Sequence, residues 1–109
     1  MLSFSGNSRI FLCQSPVDLR NGFEGLSAIV INLFKESVTS GTFFAFFNKP
    51  RNQIKILYWD GDGLVIWCKR LEKGHFRNSL KSGGIIERRE FLMLLEGITP
   101  KVMQKRFKL

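Results

Sequence analysis

Three β-prone runs, at residues 42–47, 54–59 and 64–71, follow one another across two short stretches of turn residues. That succession restricts the chain to a fold built on an antiparallel meander. The first connection, Asn48-Lys49-Pro50-Arg51-Asn52, and the second, Asp60-Gly61-Asp62-Gly63, hold the residue types that tolerate tight turns and positive φ. Phe43, Phe44, Phe46 and Phe47 alternate to both faces of the first run, which predicts a strand buried on both sides. Lys55, Lys69 and Arg70 give the other two runs a wetter face or an edge.

The flanking segments complete an α+β reading. Residues 9–13 form a short β-prone run, so the sheet is predicted to have about four strands, the meander plus this N-terminal one. Ser15, Pro16 and Asp18 have the order of a helix start. Leu19, Phe23, Leu26, Val30 and Leu33 then recur at helical spacing, widened by Ile29 and Phe34, which predicts a helix over 19–36 packed on one face of the sheet. Gly22 and Gly25 oppose it, since each costs roughly 1 kcal/mol in a helix interior, and a regular helix starting only near Phe23 is the alternative. Residues 72–84 are polar, glycine-containing and aperiodic and are expected to be an exposed loop. Residues 87–96 have acids in the first turn, an apolar cluster, and Gly97 and Pro100 as stop signals, which predicts a second, short helix. Residues 101–109 are a basic C-terminal tail, and residues 1–109 are expected to form a single domain.

Charge is distributed unevenly. Residues 1–48 carry Arg9, Arg20 and Lys35 against Asp18, Glu24 and Glu36, so the whole net charge of +8 belongs to residues 49–109. With 44% apolar residues this is a folded domain with a basic surface, and a polyanion, above all nucleic acid, is the partner that such a surface suggests. The longest apolar run, 26–34, is far below the roughly 20 residues that cross a bilayer. The polar start lacks the pattern of a secretory signal, so a cytoplasmic protein without membrane association is expected.

Topology sharpens the charge argument. In a meander the third strand runs parallel to the first and finishes at the end where the first connection lies. Lys49 and Arg51 in that connection should therefore converge with Lys69, Arg70, Lys73, His75, Arg77 and Lys81, which lead out of the third run. These eight residues are the candidate nucleic-acid-binding set; the alternative is a solvated face that aids solubility. Phe76 or Trp67 could stack on unpaired bases, although aromatics beside strands more often belong to the core.

Candidates for chemistry are few. Asp18, Asp60 and Asp62 are the carboxylates that a two-metal phosphodiester site would draw on, but Asp60-Gly61-Asp62-Gly63 reads first as a turn and no metal set is complete. His75 is the sole histidine, and Cys13 and Cys68 lie in apolar runs, which predicts two small buried thiols in place of a disulfide or metal pair. No catalytic residue, metal or cofactor is assigned. Gly22 and Gly25 with Arg20 are a weak signal for a phosphate-binding turn, and Asp18 with Arg20 reads better as a structural cap and ion pair.

Four blocks in order carry a resemblance: Asp18-Leu19-Arg20-Asn21-Gly22-Phe23-Glu24-Gly25-Leu26, residues 54–63 ending in Trp59-Asp60-Gly61-Asp62-Gly63, residues 69–76 with Gly74 and Phe76, and Leu94-Leu95-Glu96-Gly97-Ile98. Together they resemble the TnpB accessory protein of insertion-sequence family sixty-six transposable elements, over residues 6–100. That family is unrelated to the RNA-guided nucleases sharing the TnpB name. The chain departs from its pattern where Asn21 replaces a common lysine, His75 a common arginine, and Asn78 follows Arg77 in place of Trp-Pro, changes that bear on the charge and shape of the 72–81 loop. The resemblance implies a small bacterial protein encoded beside a separate, larger transposase and needed for efficient movement of the element. Beside that expectation stand two others: a protein-interaction subunit that docks on the transposase without touching DNA, and a small RNA-binding regulator.

Overall fold

The computed structural model describes residues 8–77 and 84–96. Its elements run β1 (Ile10–Leu12), α1 (Phe23–Asn32), β2 (Phe43–Phe47), β3 (Gln53–Trp59), β4 (Leu64–Arg70), β5 (Ile85–Ile86) and α2 (Arg88–Leu95). The strands form one sheet in the order β4-β3-β2-β1-β5. β2, β3 and β4 are the antiparallel meander. β1 lies parallel to β2, and the crossover between them runs through α1, as a parallel connection requires. The fifth strand is an addition to the expected four: β5 pairs antiparallel with β1 and has two residues, too few for any periodicity to show.

All five residues of β2 are buried because both faces of the sheet are covered. Phe44 and Phe46 pack with Leu57, Leu19, Leu26 and Val30 under α1. Phe43, Ala45 and Phe47 pack on the other face with Ile54, Ile56, Phe76 and the α2 residues Phe91, Leu94 and Leu95. Each fully buried Phe or Leu contributes roughly 1.5–3 kcal/mol of transfer free energy, so the two apolar layers hold both helices to the central strand.

The long helix is shorter than its apolar spacing suggests. Ser15 and Pro16 do not open a helix; residues 15–22 are a loop anchored by the Val17 amide donating to Phe47 O at 2.9 Å, and α1 starts after Gly22. Its C-terminal end unwinds through Phe34 N to Ile29 O and Glu36 N to Val30 O, with Lys35 at φ 56°. The unwinding turns Phe34 inward, 4.5 Å from the Phe11 ring, and leaves Leu33 73% exposed. Phe23, also expected on the buried stripe, is 48% exposed because it lies in the first turn, beyond the edge of the layer.

Two further expectations are corrected. The polar 72–84 stretch is not wholly an exposed loop, since Phe76 is completely buried against Phe47 at 5.6 Å between ring centroids. Gly84 is buried with φ 83°, and a Cβ there would meet the Phe11 ring at 2.9 Å. The thiols also differ: Cys13 is buried, whereas Cys68, on edge strand β4, is exposed, and both are free. Among the described residues no helix is long and apolar enough to cross a membrane.

Candidate nucleic-acid interface

The connection between β2 and β3 is shaped by its own side chains. Asn48 Oδ1 accepts from the amides of Asn52 and Gln53 at 3.1 Å each, and Asn48 Nδ2 donates to Asn52 Oδ1 at 2.6 Å. This clamp drives Arg51 into the left-handed region at φ 57°, which costs roughly 1–2 kcal/mol for a residue with a Cβ. The same backbone then receives the chain leaving β4. Leu71 N donates to Asn52 O at 2.7 Å, and Phe76 N donates to Arg51 O at 2.6 Å. The hairpin tip and the 71–77 segment are thus stitched together at one end of the sheet.

Of the eight residues expected to converge, five lie in these two adjoining segments, Lys69 and Arg70 end β4 beside them, and Lys81 lies outside the described residues. The seven divide into two kinds. Arg51 is turned inward: its guanidinium stands 4.1 Å over the Phe47 ring, Nε donates to Phe76 O at 3.1 Å, and Nη2 donates to Arg77 O at 2.7 Å. Burial lowers its pKa from the ordinary arginine value. Lys69 sits opposite Ile54 on the α2 face and donates from Nζ to Leu95 O at 2.8 Å, closing the last turn of α2. Both are held in the fold. Lys49, Arg70, Lys73, His75 and Arg77 are exposed and their side chains have no hydrogen-bond or ion-pair partner among the described residues, while Glu72 is the exposed acid of the same segment.

Two more cations join this end from the α1 face. Lys55 and Gln53 of β3, together with Lys49, line an open groove of about 680 Å³ whose other wall is Val17, Leu19 and Arg20. Lys55 sat in the sequence on the wet face of its strand, and its place two residues after Gln53 puts both side chains on the face that lines this groove. Arg20 had no such signal, because the 15–22 loop reaches the hairpin only through tertiary packing. Its positive charge is offset locally: Asp18 accepts from Arg20 Nε at 3.0 and 3.1 Å and from Nη2 at 2.6 Å, and these bonds pull the Asp18 pKa down to about 2. Arg20 N also donates to Asp18 Oδ1 at 3.0 Å, so the expected ion pair is present but closes a turn in the loop in place of capping the helix.

The remaining motif residues serve the backbone. Gly22 is the N-cap of α1, and Gly25 allows the helix to touch Asn21, whose Cβ would lie 2.7 Å from any Cβ at position 25. Trp59 ends β3, and Asp60 N donates to Gly63 O at 2.9 Å across a turn with Gly61 at φ 85°. That turn lies at the far end of β3 from Lys49 and Lys55. Gly74 at φ 78° reverses the 71–77 segment so that Phe76 can enter the core, and Glu96 is the C-cap of α2, while Gly97 falls outside the described residues. Asp18 and the Asp60–Asp62 turn stand at opposite ends of β3. No group of His, Cys, Asp or Glu among the described residues could hold a metal ion. Phe76 is fully buried in the α2-side core and offers no face to a base, while Trp67 packs partly buried against the same core.

A family model described as "IS66 Orf2 like protein" matches residues 8–105. Two proteins of Sinorhizobium fredii are similar to the chain. Uncharacterized protein y4jC is 33% identical over 100 residues, covering 90% of this chain and 86% of its own length. Uncharacterized protein y4hO is 30% identical over 86 residues, covering 79% and 75%. No solved structure matches.

Proposed function

The chain belongs to the IS66 Orf2-like family, and on that premise we propose that it is a single-domain, non-enzymatic accessory protein of insertion-sequence transposition that binds DNA at the basic end of its sheet. The observation that carries this reading is the stitching of the 48–52 turn to the 71–77 segment through Leu71 N to Asn52 O and Phe76 N to Arg51 O. It gathers Lys49, Arg70, Lys73, His75 and Arg77, with Lys55 beside them, while Arg51 and Lys69 hold the surface in shape. The contacts are with phosphates, since neither helix presents a row of base-reading side chains at this end.

Four to five phosphate contacts on duplex DNA give a slope of about −4 in log K against log salt. Fluorescence anisotropy with a labelled duplex, from roughly 50 to 300 mM salt, measures it. Arg70→Ala, Lys73→Ala and Arg77→Ala should each weaken binding and flatten the slope by about one. Absence of binding at low salt, together with co-purification of the transposase, would replace this reading with a docking subunit. Preference for single-stranded RNA in competition would replace it with an RNA-binding regulator.

A further inference from the structure

The face of the sheet covered by α1 continues past the helix toward the basic end. Leu57, Leu64 and Ile66 pack in the α1-side core. Leu57 pairs with Ile66, Lys55 with Cys68 and Gln53 with Arg70, so the alternation of β3 and β4 carries the same face on through Lys55, Cys68, Gln53 and Arg70. Arg70 stands diagonally from Lys55 across the two strands, roughly 7–8 Å away. The groove between this face and the 15–22 loop has two unlike walls. One is cationic, with Lys49 at the hairpin tip and Lys55 on β3; the other is apolar, with exposed Pro16, half-buried Val17 and Leu19. Neither lysine has a hydrogen-bond or ion-pair partner among the described residues. The one carboxylate lining the groove, Asp18, is held by Arg20, and Glu72 does not line it, so the two lysines are uncompensated. The volume of about 680 Å³ falls within the roughly 300–1,000 Å³ of sites that enclose small ligands.

We propose that this groove receives an unpaired nucleotide of a DNA strand, with its phosphate on Lys49 and Lys55 and its base against Pro16, Val17 and Leu19. The inference rests on the DNA-binding reading above and adds a base contact to its phosphate contacts. A cationic wall facing an apolar one matches a nucleotide, whose charge sits on the phosphate and whose base offers an apolar face. Duplex DNA uses only the cationic wall, because its base faces are stacked inside the helix. Continuity with the basic end selects the occupant. A strand whose phosphates lie on Arg70 and Lys49 reaches Lys55 and the groove with its next residue. The apolar wall has no base-reading donors, so the nucleotide is held without regard to its identity.

The test uses the full chain and fluorescence anisotropy at one low salt concentration with three labelled probes: a blunt duplex, the same duplex with a short unpaired tail, and the tailed duplex with abasic sites in the tail. The base-bearing tail should bind about fivefold tighter than the abasic one, the low end for a stacked base because the wall is aliphatic. Lys55→Ala should weaken the tailed probe more than the blunt one. Pro16→Gly, which changes no charge, should bring the ratio of base-bearing to abasic affinity toward one. In the wild type, the Val17 and Leu19 methyl resonances should shift on adding the tailed duplex and stay in place on adding the blunt one. Equal affinity for base-bearing and abasic tails while the blunt duplex still binds, or methyl shifts produced by poly-glutamate and not by the tailed duplex, would overturn the inference and leave the DNA-binding reading standing. Absence of binding to all three probes would remove both.

Discussion

Arg51 is the residue whose removal separates a structural role from a binding one. Replacing it with Ala deletes hydrogen bonds to Phe76 O and Arg77 O and the stacking on Phe47. Each charge-assisted bond contributes about 1.5 kcal/mol, the low end of the range because Arg77 is exposed and water replaces part of it. The cation–π contact adds about 0.5 kcal/mol at a half-exposed site. The expected loss is therefore about 3.5 kcal/mol, and with a slope of about 1.5 kcal/mol per M the urea midpoint falls by about 2.3 M. Trp59 and Trp67 on adjacent strands report the transition by fluorescence. Arg51→Gly loses the same contacts but relieves the left-handed φ of 57°, so it should be about 1 kcal/mol more stable than the Ala chain. Hydrogen exchange at the Phe76 amide should rise in both. An Ala variant within about 0.5 kcal/mol of wild type, or a Gly variant less stable than the Ala one, would refute the assignment of Arg51 as the clamp of this end.

Other outcomes follow from single sites. The Asp18 carboxyl should titrate near pH 2 by NMR and move back toward about 3.9 in Arg20→Gln; because its folded pKa is depressed, any stability it contributes is present above about pH 4 and is lost as pH falls toward 2. A titration indifferent to Arg20 would deny the pair. Gly25→Ala, which in an open helix stabilises by roughly 1 kcal/mol, should here destabilise by about 1–2 kcal/mol through the 2.7 Å approach to Asn21, with the sign reversed in an Asn21→Gly background, as read from urea midpoints. A thiol reagent at neutral pH should modify Cys68 alone in the folded chain and Cys13 only on unfolding, since burial raises the Cys13 pKa and its thiol donates to Ser15 O at 3.4 Å; two fast thiols would contradict the core packing.

The meander was legible because period-two runs and turn residues are local signals. The 42–47, 54–59 and 64–71 runs became β2, β3 and β4 within a residue or two at each end, and the double burial of β2 was written in its phenylalanines. The 87–96 helix was likewise marked by its first-turn acids, apolar cluster and stop residues and formed as α2. The 19–36 helix was overread from its apolar spacing, whereas Gly22 and Gly25 had already pointed to the start near Phe23 that α1 adopts. Val17 is bonded to Phe47 and Phe34 is drawn to Phe11, and these contacts end the helix early at both sides. The burial of Phe76 agrees with the tendency of aromatics beside strands to be core, but a lone aromatic in a polar stretch does not name the strand it will cover, so the 72–84 stretch read as wholly exposed.

For the basic end, sequence alone determined that cations would gather there, because strand direction in a meander follows from counting connections. Which of them face outward was decided only by tertiary structure. Arg51 and Lys69 have the same composition signal as Arg70 and Arg77, yet the first two meet backbone carbonyls that arrive from α2 and the 71–77 segment, about 25 residues away in sequence. A carbonyl acceptor is present at every residue and carries no side-chain signature. Its position is set by packing, and so is the division of this charge between scaffold and surface.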